Sequence, residues 1–470
     1  MKKLHLICNS HIDPVWLWNK AEGMNAAIST FRSAVNLAKE YDYIFCHNES
    51  LLYEYVEKVD PILFEEIKEL ISEGKWRIMG GEYLQPDCLM PSGETQVRNI
   101  LVGKKYFKEK FNTVPTVMTN FDSFGHSVGL VQIFAKTGYN GYMICRPHFD
   151  MWKLKTDWIE WKGLDGSSIK VFRDKFHYSN EMGKVQNKIK DTIAYYDSKN
   201  KEIGLALWGV GNHGGGPSRE DLSTIERMQK SEDVEIVHST LEKAFEEVVT
   251  ESRYDKSLVT VNPGCYTSNR RFKEKYAKLE DLLILAEKLS VVAEMQTGIA
   301  YPHDKLNEIW KDVLFGTFHD IMAGTCSETG SKEAEDMMGH GLYAIRNLVA
   351  ETFSALAFKL EKSGEGKIPL VVFNPFPYEY KTIVYGEFLL PKIYFLKDEE
   401  VKIVITDSFG NEVKSQVVKE SANFNVDWQK RKQKAIRPLC GPGGSQRASA
   451  AVPFESRLSA ALFRLFVSLQ

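Results

Sequence analysis

Short apolar runs alternate with amphipathic helical stretches through the first 260 or so residues, and this alternation constrains the chain more than any other feature. Leu4 to Cys8 reads as a strand, Ile28 to Lys39 as a helix, Tyr43 to Cys46 as a strand, and Leu51 to Glu73 as helical. Trp76 to Met79, Thr116 to Asn120, Gly141 to Cys145 and Ile203 to Trp208 are further strands. Alternation of this kind buries a mainly parallel sheet under helices. The expected class is therefore α/β, with a β/α barrel-like catalytic domain over residues 1–262.

The period then changes. Tyr276, Leu279, Leu282, Leu283, Ala286 and Leu289 recur at helical spacing, as do Leu306, Ile309, Trp310, Val313 and Leu314. A third helical stretch runs from about Ala334 to Leu360. Three amphipathic segments in a row predict a three-helix bundle over 263–363, contributing to the active site. Past the polar linker Ser363-Gly364-Glu365-Gly366, strand patterns at Leu370 to Asn374, Lys381 to Phe388 and Glu400 to Thr406 open an all-β, sandwich-like domain over 367–428. Ser408-Phe409-Gly410-Asn411 is a turn signal. Beyond Lys434 lysine disappears, and Arg437, Arg447, Arg457 and Arg464 carry charge among small residues. Residues 429–470 are therefore expected to be non-cognate, as from a shifted reading frame, or a disordered tail.

A chain of 470 residues allows two to four domains. A net charge of −3 with no basic run argues against nucleic acid and anionic membranes as partners. Seven scattered cysteines without a C-x-x-C pair fit a reducing cytoplasm. Neither a signal-peptide core nor a long apolar span is present, so the expected location is cytoplasmic, with self-association left open.

Chemistry-bearing residues follow the strands. Leu4 to Cys8 runs into His11-Ile12-Asp13, and Thr116 to Asn120 runs into Asp122-Ser123-Phe124-Gly125-His126. Gly141 to Cys145 runs into Arg146-Pro147-His148, and Ile203 to Trp208 into Gly211-Asn212-His213-Gly214-Gly215-Gly216. Ligands of parallel α/β folds bind at the carboxyl ends of strands, so one crevice would collect His, Asp and Arg. His11 and Asp13, two apart in extended chain, point the same way and suit a divalent metal; a surface loop is the plain alternative. Asp122 could equally cap a helix. His319-Asp320 sits on the second bundle helix or at its end, where Ala323-Gly324-Thr325 suggests a break. The glycine run lacks the lysine of a phosphate loop and the spacing of a dinucleotide site. His5, His47, His177, His238, His303 and His340 show no partner pattern and are read as structural.

Asn9-Ser10-His11-Ile12-Asp13-Pro14-Val15-Trp16, Asn120-Phe121-Asp122-Ser123-Phe124-Gly125-His126-Ser127, and Phe318-His319-Asp320 with Gly324-Thr325 resemble, in order, the motifs of glycoside hydrolase family 38, the α-mannosidases. The resemblance covers residues 1 to 428, and Gly209-Val210-Gly211-Asn212-His213-Gly214-Gly215-Gly216-Pro217 looks like a bacterial branch. It implies one zinc ion held by His11, Asp13, Asp122 and His319. It implies retaining hydrolysis of terminal α-linked mannose from oligosaccharides, with Asp122 as both ligand and nucleophile. Trp16, Phe124, Arg146 and Asp320 would bind the substrate, with Trp16 as an apolar wall, Arg146 keeping Asp122 ionised and Asp320 accepting from a sugar hydroxyl. Where family members often place an aspartate this chain has Asn212-His213, and His213 is the candidate proton donor.

A β region that stops after its first strands would leave unpaired edges, so low solubility or no activity is expected of this chain. Two other readings stay open. One is a zinc-dependent hydrolase like a polysaccharide deacetylase, which would activate water on the metal. The other is a catalytically dead glycan-binding remnant.

Overall fold

A computed structural model describes residues 1–148, 154, 156–211, 213–258, 262–360, 367–390, 403–422, 446–455 and 462–469. It comprises two compact units, Met1–Leu283 with His303–Ile345, and Ile284–Pro302 with Arg346–Gln470.

The first unit contains strands β1 (Lys3–Asn9), β2 (Phe45–His47), β3 (Trp76–Ile78), β4 (Val117–Asn120), β5 (Gly141–Ile144), β6 (Trp158–Lys162), β7 (Ser168–Arg173), β8 (Ile203–Trp208), β9 (Glu235–His238) and β10 (Ser252–Tyr254). Helices α1 (Lys20–Ala38), α2 (Ser50–Val59), α3 (Pro61–Ser72), α4 (Gly93–Phe111), α5 (Leu130–Lys136), α6 (Val185–Ser198), α7 (Arg219–Ser231) and α8 (Leu241–Glu247) alternate with them. One sheet runs β3-β2-β1-β8, with β9 also on β1, and every pairing in it is parallel. The other runs β10-β6-β7-β5-β4 and is parallel except for the β6–β7 hairpin.

Two contacts draw the sheets into the expected barrel-like arrangement. The Gly80 N–H beyond β3 donates to the Val117 carbonyl of β4 at 3.1 Å. The Leu207 N–H of β8 donates to the Asp174 carboxylate just past β7 at 3.4 Å. Ile7, Cys46, Val117, Met143, Phe172 and Leu207, each from a different strand, meet in one buried cluster, so the interior is packed core. The stretch expected to be helical from Leu51 to Glu73 is two helices. Asp60 ends one, its carboxylate caps the next by accepting from Leu63 N–H, and Pro61 takes the first turn, where it has no N–H to waste.

The bundle helices are α9 (Arg270–Thr297), α10 (His303–Gly316), the five-residue α11 (His319–Ala323) and α12 (Glu328–Phe358). The chain breaks after Gly316, so His319 opens a helix of its own. Gly324 closes that helix in the left-handed conformation, φ 72°. No described helix is long and apolar enough to cross a membrane.

In the second unit, Leu289, Ala293 and Leu356 pack with Val349, Phe353 and Phe373. Strands β11 (Lys367–Phe373), β12 (Lys381–Leu390), β13 (Ile403–Thr406), β14 (Glu412–Val413), β15 (Gln416–Ala422), β16 (Gln446–Glu455) and β17 (Leu462–Leu469) form two antiparallel sheets, β11-β17-β13-β14 and β12-β16-β15. The expected turn is present, with the Asp407 carboxylate accepting from Phe409 and Asn411 N–H and Gly410 at φ 88°. Of residues 429–470, 446–455 and 462–469 lie in these strands, and the rest lie outside the described residues. Each of the two strands lies between two others and fills open edges that they would otherwise expose.

Candidate metal centre and active site

The loop after β1 is held at several points. The Asn9 amide donates to the Tyr178 and Trp208 carbonyls, at 3.1 and 3.2 Å, and Ser10 Oγ donates to the Val210 carbonyl at 3.0 Å. Trp18 Nε1 donates to the Asp13 carbonyl at 2.9 Å, and Gly23 lies directly against the Asp13-Pro14 backbone. His11 and Asp13 are both buried, and their side chains turn inward together.

His11 Nε2 lies 2.8 Å from Asp13 Oδ1, and His319 Nε2 lies 3.5 Å from the same oxygen. The two imidazoles stack with centroids 5.5 Å apart. Donor atoms of His11, Asp13 and His319 all lie within 4.8 Å of one another. All three atoms are buried, and none makes a hydrogen bond to any group outside the three. Buried polar atoms with no partner but one another are costly, and their convergence is what a cation would compensate. Ligands at about 2.0–2.1 Å on a tetrahedral ion stand about 3.3 Å apart, close to the spacing seen here. Two imidazoles and a carboxylate fit zinc by chemistry as well as by spacing.

The electrostatics agree. Burial alone would push the imidazoles down, but Asp13 outweighs it: His11 is raised, and His319, with Asp320 adding to the pull, is raised to about 10. Burial would raise the Asp13 carboxyl, but His11 and His319 hold it well below the usual range. Asp320, buried beside His319 with Oδ2 3.9 Å from Nε2, is pushed up by burial to about 6 against the pull of that imidazole. Its other oxygen accepts from the Thr325 hydroxyl.

Asp122 follows β4 and stands outside the three-residue group among the described residues. Its Oδ1 accepts from Arg146 Nε at 2.6 Å, and His177 Nε2 lies 3.7 Å away. Its charge contributes to raising both His11 and His319, so it belongs to the same crevice. Phe124 is buried against Cys265 and Ala323, and the Arg146 guanidinium carbon sits 5.1 Å over its ring. It braces Arg146 there.

Trp16 is half-buried and meets Trp18 edge-to-face at 5.5 Å. His213 stacks on Trp18 at 3.9 Å, pairs through its backbone with Ile12, and has Nε2 3.3 Å from Glu22 Oε1. Its neighbour Asn212 lies outside the described residues.

Sequence reasoning missed Gln85, Tyr178 and the position of His177. Tyr178 packs its ring 4.6 Å from His11. His177, read as structural, faces Asp122 with its backbone at φ 68°, a conformation that non-glycine residues adopt mostly under local constraint. Gln85 is a glutamine in a loop, and no local pattern marks it. By contrast His47 is core, ringed by Phe31, Phe45 and Tyr53, and burial lowers it to about 3.

A mainly parallel α/β protein with a His–Asp–His group that could hold a cation at its strand ends, completed by a helical segment, is the class that fold and site define. Residues 1–263 match the glycosyl hydrolases family 38 N-terminal domain, and residues 262–356 the alpha mannosidase middle domain. The chain belongs to glycoside hydrolase family 38. It is 26% identical over 394 residues to human alpha-mannosidase 2C1, covering 80% of this chain and 37% of that protein. It is 25% identical over 378 residues to the alpha-mannosidase of Saccharomyces cerevisiae, covering 74% of this chain and 34% of that one. The crystal structure of an alpha-mannosidase from Enterococcus faecalis V583 superposes with a TM-score of 0.78 at 18% identity, over 100% of this chain and 56% of that one. The chain therefore spans little more than a third of these curated relatives' length.

Proposed function

We propose that this chain carries the catalytic region of a retaining α-mannosidase, acting on mannose-containing oligosaccharides with one zinc ion. The convergence of three buried donor atoms, His11 Nε2, Asp13 Oδ1 and His319 Nε2, with no hydrogen bond outside their own group, beside the Asp122–Arg146 pair carries this reading. Asp122, outside that group, would supply a fourth ligand through one carboxylate oxygen. When bound, zinc supplies a fixed charge that grips adjacent sugar hydroxyls and favours a flattened ring.

The chain's own residues do the rest. Asp122 attacks the anomeric carbon, and the bond to the aglycone oxygen breaks as His213 gives that oxygen a proton. Water then displaces the sugar from Asp122 and returns a proton to His213, so configuration is retained. Arg146 orients the attacking carboxylate, Asp320 accepts from a sugar hydroxyl, and Trp16 walls the ring. What supports His213 is its backbone pairing with Ile12, between the two ligands of the first loop. A reducing compartment is part of the proposal, since every described cysteine is free.

A fluorinated mannosyl trapping agent tests the reading. The expected result is stoichiometric label on the peptide holding Asp122, with α-mannose released first from an aryl α-mannoside. Label on another carboxylate, or β-mannose as first product, overturns it.

A further inference from the structure

Gln85 is fully buried in the loop after β3, and each of its four hydrogen-bonding groups meets a different element. Its backbone N–H donates to Glu49 Oε1 at 2.7 Å. Its carbonyl accepts from His319 Nδ1 at 2.9 Å. Its side-chain Oε1 accepts from the Phe121 N–H at 2.7 Å, one residue before Asp122. Its amide Nε2 lies 3.0 Å from His11 Nδ1. The next two residues continue the clasp. The Pro86 carbonyl accepts from Ser123 Oγ at 2.6 Å and from the Asn120 amide at 3.1 Å, and Asp87 N–H donates to the Thr317 carbonyl at 2.7 Å.

We infer that Gln85 is the positioning residue of the metal pair, fixing the ring orientation of both His11 and His319 and locking them to the strand end that carries Asp122. This rests on the zinc reading above. The second ring nitrogen of a metal-binding histidine sets which nitrogen is free to coordinate, and such partners affect affinity strongly. For His319 the partner is the Gln85 carbonyl, which leaves Nε2 facing Asp13. For His11 the partner is the Gln85 side-chain amide, shared with the Phe121 N–H.

A histidine that gives Nε2 to a cation carries its proton on Nδ1 and needs an acceptor there. As it stands, the Gln85 amide gives its oxygen to the Phe121 N–H and its nitrogen to His11 Nδ1, so a cation on His11 Nε2 requires the amide to turn its oxygen toward Nδ1–H, at the expense of the Phe121 contact. Glutamate at 85 would offer one oxygen to Phe121 N–H and the other to His11 Nδ1–H. Methionine keeps the shape and offers neither.

Zinc competition with a chromophoric chelator tests this on the full chain, for the parent, Gln85→Met, Gln85→Glu and His319→Ala, with thermal melting of each in EDTA. Gln85→Met should weaken zinc binding roughly ten- to a hundredfold. Gln85→Glu should bind as tightly as the parent or more so. A Gln85→Met protein that melts like the parent and binds zinc within threefold of it overturns the inference. So does a Gln85→Glu protein that loses tenfold or more, and that arm decides alone if the methionine variant fails to fold. Loss of zinc in His319→Ala separates the two levels: a parent that binds none, or a His319→Ala variant that binds as well, defeats the metal reading itself.

Discussion

Asp13→Asn should destabilise the chain in EDTA by an amount that shrinks as pH rises. Asp13 Oδ1 lies 2.8 Å from His11 Nε2 and 3.5 Å from His319 Nε2, so asparagine removes the charge both imidazoles face. His319 is raised from 6.5 to about 10 in the folded chain. At about 1.36 kcal/mol per tenfold, that net rise corresponds to about 5 kcal/mol. Asp320 and Asp122 add to the pull and burial opposes it, so the expected loss is that of breaking a buried ion pair, about 3–5 kcal/mol. The sign follows from the raised value. The contribution is fully present below pH 6.5, where unfolded histidine is also protonated, and is lost as pH rises through about 10. Urea unfolding of parent and variant in EDTA, at several pH values between these limits, reads the gap. It should be widest in mild acid and close with alkalinity. A gap that stays constant, or widens with pH, refutes the coupling of Asp13 to protonated imidazoles.

Gly23→Ala should cost about 1–3 kcal/mol, because the added Cβ meets the Pro14 carbonyl and lies 2.8 Å from the Asp13 carbonyl oxygen. Zinc affinity should fall with it, since the strain falls on the loop carrying His11 and Asp13; calorimetric melting and chelator competition check both. Arg146→Met frees Asp122 Oδ1 from its 2.6 Å partner. It should lower kcat on an aryl α-mannoside roughly a hundredfold, with KM changed far less; a drop in kcat/KM carried by KM alone would assign Arg146 to substrate binding.

The barrel was legible because its physics is local. Apolar runs such as Ile203–Trp208 emerge with the bounds that sequence gives. Polar residues directly after such runs have nowhere to go but the strand-end crevice, so His11, Asp13, Asp122 and Arg146 could be placed by position. The β6–β7 hairpin carried a usable signal that sequence reading passed over. Asp165-Gly166 sits between alternating runs whose Ile159, Trp161, Ile169 and Val171 are buried, and Gly166 takes φ 88° in the turn. His319 was harder, since a histidine on a helix usually packs or faces water. Only the break after Gly316 frees it to start a short helix aimed at Asp13. Gln85 was out of reach. Its importance comes from four partners on four segments, and no spacing in one chain encodes that convergence.

Zinc-edge X-ray absorption on the purified chain, beside His319→Ala, probes the shared ion itself. Nitrogen and oxygen neighbours at about 2.0–2.1 Å with the multiple-scattering pattern of two imidazoles are expected, falling to one imidazole or to no bound zinc in the variant. Sulfur neighbours near about 2.3 Å, or identical spectra from both proteins, would contradict a centre built from the first strand's loop and the helix that His319 begins.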